Sequence, residues 1–222
     1  MEGIVANYIA SVKQGSNSLK VVWTGEALTN ILLKLLHLNL DKKQMAKSDQ
    51  PFSEPHRIKL RTWQMLMIVQ PIIINADVHP HEKTLEDINN TIWPILKQNH
   101  LQNIRQYMEC FTIKFVMRYP QLTLNETSKF YETCLETQAA KPQLSASLLL
   151  VAGYVLLHTD PSNCVVFKRK IFDKLVGYTG SNSAHCRSIA QYFIIKLSDN
   201  EPGLIGSALQ PMMKYLQEAK DV

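Results

Sequence analysis

Two stretches of the chain, 82 residues apart, carry nearly the same pattern of side chains: LQNIRQYMECFTIKF at 101–115 and NSAHCRSIAQYFIIKLS at 182–198. When Arg105 is aligned with Arg187, phenylalanine, isoleucine and lysine recur six, eight and nine residues later. A large apolar residue follows in both at the tenth position. The offset is about twice the 40–47-residue period of HEAT and armadillo repeats. This duplication favours a fold built from repeated helices.

The second copy also has the periodicity of an amphipathic helix. Its apolar residues recur at intervals of three or one and form a single helical stripe: Cys186, Ile189, Ala190, Phe193, Ile194 and Leu197. Ile195 lies roughly opposite that stripe, as Ile113 does in the first copy. A helix that is apolar on two sides needs covering on two sides. We therefore expect a partner helix on one side and the next repeat on the other.

The rest of the chain reads as helices separated by short polar or proline-containing turns. Helices are predicted at about 2–14, 26–46, 54–75, 82–97, 101–119, 125–139, 143–159, 164–178, 183–198 and 203–219. Strand alternation and hairpin dipeptides are missing, and glycine is scarce at 8 residues. The sequence thus predicts an all-α, HEAT/armadillo-like α-solenoid of antiparallel helix pairs. We expect one solenoid domain over 1–222, with irregular helices in 1–50 and repeat-like pairs in 54–220.

Arginine stands in the first turn of three candidate first helices of these pairs, at Arg57, Arg105 and Arg187. Its aliphatic stem can cover neighbouring apolar surface while the guanidinium bonds carbonyls or acids of the adjacent repeat. The sequence therefore predicts a structural role for these three arginines. Direct contact with RNA is the alternative.

Net charge is +5, and the cations are clustered. The segment 161–198 holds one acid, Asp173, and six cations: Lys168, Arg169, Lys170, Lys174, Arg187 and Lys196. A second basic stretch runs from Lys42 to Arg61. Clustered cations attract a phosphate backbone, so the six are candidate RNA-binding residues. The alternative is a solvated face with no ligand.

Signals for catalysis and for membrane insertion are weak. Nucleotide-binding, nucleophile-elbow and zinc-protease motifs do not occur, and HPHE at 79–82 is interpreted as an exposed loop rather than a metal site. The four cysteines form no CxxC pair, which indicates reduced, mostly buried thiols in a cytoplasmic or nuclear protein. The longest apolar run, 148–157, is shorter than the roughly 20 residues that span a bilayer. No catalytic residue, metal or membrane contact is therefore predicted.

Three segments together carry a family resemblance: LRTWQMLMIVQPII, LQNIRQYMECFTIKFVMRYPQL and NSAHCRSIAQYFIIKL. The order of a tryptophan helix, an N-x-R-x-Y-x-E helix and a terminal arginine-bearing repeat resembles the TAR RNA-binding protein 1-like tRNA (guanosine-2′-O)-methyltransferases. The resemblance covers about residues 55 to 200. It implies a HEAT-like region that, in the family, precedes a knotted SpoU/SPOUT methyltransferase domain.

No residue of this chain matches that catalytic domain, whose glycine-rich loops hold S-adenosylmethionine. The resemblance therefore implies a fragment of a longer protein, with no cofactor of its own and with S-adenosylmethionine expected only in the absent catalytic domain. The expected function is a non-catalytic scaffold that engages tRNA or other structured RNA. The alternative is a generic HEAT-repeat scaffold that binds proteins and has no nucleic-acid role.

Overall fold

A computed structural model of the chain describes residues 25–40, 50–74, 82–98, 101–124, 142–159 and 165–218. These ranges are helices joined by turns and contain no strand, so the all-α prediction is confirmed for them. The main helices are α1 (Gly25–Leu38), α2 (Glu54–Ile74), α3 (Glu82–Leu96), α4 (Gln102–Arg118), α5 (Pro142–His158), α6 (Val165–Tyr178), α7 (Ala184–Asn200) and α8 (Gly203–Glu218). Residues 120–124 are helical as well.

Most predicted boundaries agree with these helices to within two residues, but the end of α1 does not. The predicted helix 26–46 continues past Leu38, where the observed helix ends. The buried Asn39 stops it, because its Nδ2 donates to the Leu35 carbonyl at 2.9 Å and its backbone N–H bonds Leu36 O at 3.0 Å. Such a side-chain bond competes with continuation of the helix. The predicted helices 2–14 and 125–139 lie outside the described residues, and so do residues 41–46 of the predicted helix 26–46.

Serine caps begin two of the helices that matter below. Ser53 Oγ accepts the backbone N–H of His56 at 3.2 Å ahead of α2. Ser183 Oγ accepts the backbone N–H of Cys186 at 3.4 Å ahead of α7. Each hydroxyl satisfies one of the N–H groups that a helix N-terminus leaves without an intrahelical partner. These caps fix where the first turns of both helices lie.

The chain divides into two compact units, residues 1–118 and residues 119–222. In the first unit α2 packs most extensively against α4, and α1 packs against both α2 and α3. In the second unit α5 packs most extensively against α7, and α6 packs against α7 and α8. In both units, helices two apart along the chain are therefore neighbours in space. The prediction of one domain across residues 1–222 stays a prediction.

Neighbouring helices of this kind run in the same direction. In the first unit Asn103 Nδ2 lies 3.5 Å from His56 Nε2 near the start of both helices, and Gln70 Nε2 donates to Phe111 O at 2.5 Å farther along. α2 and α4 are therefore parallel.

The second unit repeats that arrangement in α5 and α7. The Cys186 thiol donates to Pro142 O at 3.3 Å at the start of both helices. The rings of Tyr154 and Phe193 then meet edge to face, with centroids 5.3 Å apart. Both units thus place parallel helices side by side.

The duplicated stretch uses the same face in both units. Six buried positions of α4 have buried counterparts 82 residues later in α7. The six pairs are Ile104 and Cys186, Met108 and Ala190, Phe111 and Phe193, Thr112 and Ile194, Phe115 and Leu197, and Val116 and Ser198.

The central phenylalanine of each copy meets an aromatic ring of the parallel helix before it. Phe111 lies edge-on to Trp63 with centroids 5.8 Å apart and an interplanar angle of 76°. Phe193 lies edge-on to Tyr154 at an angle of 82°. The sequence repeat is thus also a repeat of packing geometry.

The expectation that α7 would be covered on two sides is wrong for Ile195. This side chain is 60% exposed, and its counterpart Ile113 is half-buried. The helices that pack on α7 contact the side that carries Phe193 and its stripe. Ile195 lies on the opposite side of α7. One apolar stripe is therefore sufficient to hold α7 in the unit.

A glycine sets the closeness of α5 and α7. Gly153 lies in α5 against Phe193, and a β-carbon at this position would overlap the phenyl ring. Because glycine carries no side chain, the two backbones can approach with the ring between them. Among the described residues, no helix combines the length and apolar character needed to cross a membrane.

Candidate nucleic-acid interface

Helix α6 separates its charges from its apolar residues. Ile171, Phe172, Leu175 and Val176 are buried in the core of the second unit. Outside this core, α6 exposes four charged residues: Arg169, Lys170, Asp173 and Lys174. Lys170 and Lys174 are one turn apart and share a face. Three of the predicted RNA-binding cations are therefore brought together on one solvent-facing surface, which we call the α6 basic face.

Lys168 does not belong to the α6 basic face, contrary to the sequence-based grouping. It is 6% exposed, and its ammonium forms an ion pair with the carboxylate of Glu201. Lys168 precedes Ile171 and Phe172 by three and four residues, so it falls in the buried stripe of its own helix. Glu201 is the C-cap residue of α7. The pair therefore joins α6 to the end of α7 and presents no free cation to a ligand.

The remaining two cations predicted to bind RNA lie on α7. Arg187 is half-buried, and its Nη1 donates to Ser181 O at 2.6 Å. Lys196 is exposed, on a different side of α7 from the buried stripe. Lys196 can thus reach a ligand, whereas Arg187 already uses one nitrogen within the chain.

Arg105 repeats the contact of Arg187 in the first unit. It is 3% exposed, and its Nη2 donates to Gln98 O at 3.0 Å. Both arginines therefore bind a carbonyl of the loop that precedes their own helix. Both guanidinium groups thus donate to a carbonyl, as predicted, but the carbonyl belongs to this loop and not to an adjacent repeat. Burial lowers the pKa of the Arg105 guanidinium below its ordinary value, and the neighbouring Glu109 carboxylate opposes this shift.

Arg57 differs from its two predicted counterparts. It lies in the first turn of α2 with an exposed side chain, and its backbone N–H bonds Ser53 O at 3.0 Å. Its guanidinium is thus on the solvent side of the helix. The three arginines share a sequence position near a helix start without sharing one environment.

The described residues contain no group of three histidine, cysteine or acidic side chains arranged to hold a metal. His158 is exposed and stacks on Tyr154, with ring centroids 6.4 Å apart. Cys186 is a buried free thiol and Cys110 is an exposed one, so the expectation of mostly buried thiols stays a prediction. The histidines of the 79–82 segment lie outside the described residues, as do Cys134 and Cys164.

No family model, curated protein or solved structure matches the chain significantly.

Two features of this region were missed from the sequence. The partner of Lys168 was not identified, because Glu201 is 33 residues away and meets it only through packing. The burial of Lys168 itself had a signal, since its spacing to Ile171 and Phe172 is that of a core stripe. The helical spacing of Lys168 therefore predicts its burial, whereas a count of positive charges does not.

Proposed function

We propose that this chain is a non-catalytic, HEAT-like helical scaffold that engages RNA, in keeping with its resemblance to the tRNA-engaging region of tRNA 2′-O-methyltransferases. The solenoid part of the proposal is supported by the spacing of contacts between parallel helices. Hydrogen-bonded residues in these helices are 41, 47 and 44 positions apart. HEAT and armadillo repeats have periods of about 40–47 residues, whereas tetratricopeptide and ankyrin repeats have periods of about 33–34.

The RNA part of the proposal is carried by the α6 basic face. Arg169, Lys170 and Lys174 are exposed together, with one acid, Asp173, among them. Ile171, Phe172, Leu175 and Val176 are buried, so the exposed side chains described on α6 are charged. A phosphate backbone is the partner that such a face suits, since cations supply most of the sequence-independent affinity for nucleic acid. Lys196 is a further exposed cation in the same unit.

A salt titration of tRNA binding tests this proposal. We expect the chain to bind tRNA with an affinity that falls as salt rises, and the triple change Arg169→Gln, Lys170→Gln and Lys174→Gln to weaken it. Each phosphate contact contributes about 0.7–0.9 to the log–log slope, so the slope should flatten by about two units. Lys34→Gln, at an exposed position of α1, is the single-cation control. An unchanged slope in a folded triple variant would remove the α6 basic face from RNA binding.

A protein-binding scaffold without a nucleic-acid role is the second candidate. Three apolar side chains of α8, each four residues from the next, are exposed: Ile205 at 44%, Leu209 at 54% and Met213 at 57%. Such a row is a typical site for another helix. If the wild-type chain did not bind tRNA even at low salt, this candidate would be favoured. For either function we propose a cytoplasmic or nuclear protein that binds no cofactor through these residues.

A further inference from the structure

The outer sides of α2 and α4 carry a mixture of charge and apolar surface that the α6 basic face lacks. Six exposed residues define this basic–apolar surface: Arg57, Arg61 and Ile68 on α2, and Lys114, Met117 and Arg118 on α4. Ile68 is 45% exposed and Met117 is 43% exposed. Both apolar side chains are thus partly in water although each belongs to a well-packed helix.

These residues belong to two helices of the first unit that pack against each other. α2 and α4 lie side by side and parallel, with Trp63 and Phe111 buried between them. Arg57, Arg61 and Ile68 are separated by four and seven residues, so they form one stripe along α2. On α4, Lys114 and Met117 lie on the side away from its buried face, and Arg118 lies at the edge of that face. The basic–apolar surface is therefore the solvent side of a helix pair whose other side forms the core.

Charge on this surface is predominantly positive. It holds four cations, while the acids nearest to them along the same helices are Glu54, which is exposed, and Glu109, which is half-buried. The aliphatic stems of arginine and lysine extend the apolar area around Ile68 and Met117. An occupant that satisfies both features needs apolar side chains in a row and carboxylates on either side of them.

We propose that the basic–apolar surface binds an acidic amphipathic helix of a protein partner. Such a helix would bury Ile68 and Met117 with its apolar stripe and pair its flanking carboxylates with Arg57, Arg61 and Lys114. RNA suits the surface less well, because a phosphate backbone leaves the two apolar side chains in contact with water or charge. This inference concerns the first unit and is independent of RNA binding by α6.

A designed peptide provides the probe. It is a fluorescently labelled helix of about 18 residues, five turns, with leucine at positions i, i+3, i+4 and i+7 and glutamate on the flanks. Its partner peptide has the same composition in scrambled order. In fluorescence anisotropy with the full chain, we expect the amphipathic peptide to bind at least about tenfold more tightly than the scrambled one.

Two variants separate the apolar and the charged contributions. Ile68→Asp combined with Met117→Asp should weaken peptide binding at least about tenfold. Arg61→Gln combined with Lys114→Gln should weaken binding and also reduce its salt dependence. Ile195→Asp is the matched control, because it makes the same change at a 60% exposed isoleucine of the other unit, and it should leave binding unchanged. Circular dichroism confirms that each variant is folded.

Three results would overturn the inference. The first is equal binding of the amphipathic and scrambled peptides, or no binding of either. The second is unchanged peptide binding in the folded Ile68→Asp, Met117→Asp variant. The third is loss of tRNA binding, but not of peptide binding, in the Arg61→Gln, Lys114→Gln variant, which would make the surface a nucleic-acid site. The first two results do not depend on whether α6 binds RNA.

Discussion

Replacing Gly153 with alanine sets helix propensity against packing. Alanine in a helix interior is favoured over glycine by about 0.8–1.0 kcal/mol, so propensity alone predicts stabilisation. The β-carbon, however, would overlap the ring of Phe193. That ring is fully buried and is flanked edge-on by Tyr154, with centroids 5.3 Å apart, and by Tyr192, with centroids 5.0 Å apart. The ring therefore cannot move aside without disturbing its neighbours.

The packing term should exceed the propensity term. Forcing an extra methyl group into a well-packed core costs about 1–3 kcal/mol, and an overlap with a fixed ring belongs at the upper end of that range. After subtraction of the propensity gain, Gly153→Ala should lower the free energy of unfolding by about 1–2 kcal/mol. For a chain of this size the Tm should fall by about 2–8 °C.

Thermal and urea unfolding, followed by circular dichroism, measure this effect. Gly206→Ala in α8 is the matched control, because a β-carbon there meets no atom within 4 Å, and it should raise stability by up to about 1 kcal/mol. Phe193→Leu in the Gly153→Ala background should recover part of the loss, because the smaller side chain makes room for the methyl group. If Gly153→Ala stabilised the chain as much as Gly206→Ala, then α5 and α7 would not approach closely and the argument would be refuted.

Four further predictions follow from the described contacts. Glu201→Gln removes the charge partner of the buried Lys168. It should lower the free energy of unfolding by about 1–3 kcal/mol, less than for a fully buried pair, because the Glu201 side chain is 37% exposed. Adding Lys168→Met should recover most of this loss in urea unfolding, and purely additive effects of the two changes would show that the side chains are not coupled. Phe52 has a φ of 66°, which glycine adopts without strain, and its side chain is 88% exposed. Phe52→Gly should therefore stabilise the chain by up to about 1 kcal/mol. A lower Tm would show that the side chain has a packing role. Arg105→Lys should lower the Tm more than Arg187→Lys, because Arg105 is the more buried of the two and lysine cannot reproduce its fork; equal changes would contradict this order. Calorimetry with S-adenosylmethionine should give no binding, and a micromolar dissociation constant would overturn the expectation that this chain binds no cofactor.

Local patterns in the sequence were sufficient to predict the helices of the described residues. Prolines, capping serines and apolar periodicity are signals between residues a few positions apart, so they predict helix boundaries without knowledge of the fold. The shared pattern after Arg105 and Arg187 is local too, and its residues are buried on equivalent faces of α4 and α7, because a helix shows the same side every 3 or 4 residues. The predicted end of α1 was wrong because the Asn39 side chain binds the Leu35 carbonyl, and such a bond competes with continuation of the helix.

Only the tertiary structure decided which of these side chains meet water. Lys168 was counted among the surface cations, but its helix turns it toward Glu201 at the end of α7. Ile195 was expected to be covered, yet the helices around α7 pack on the opposite side. Gly153 lies in an apolar helix, and only the fold shows that Phe193 packs against α5 at this position. In each case the deciding neighbour is 33 to 40 residues away in the sequence or belongs to another helix, and local propensity carries no information about the direction from which it approaches.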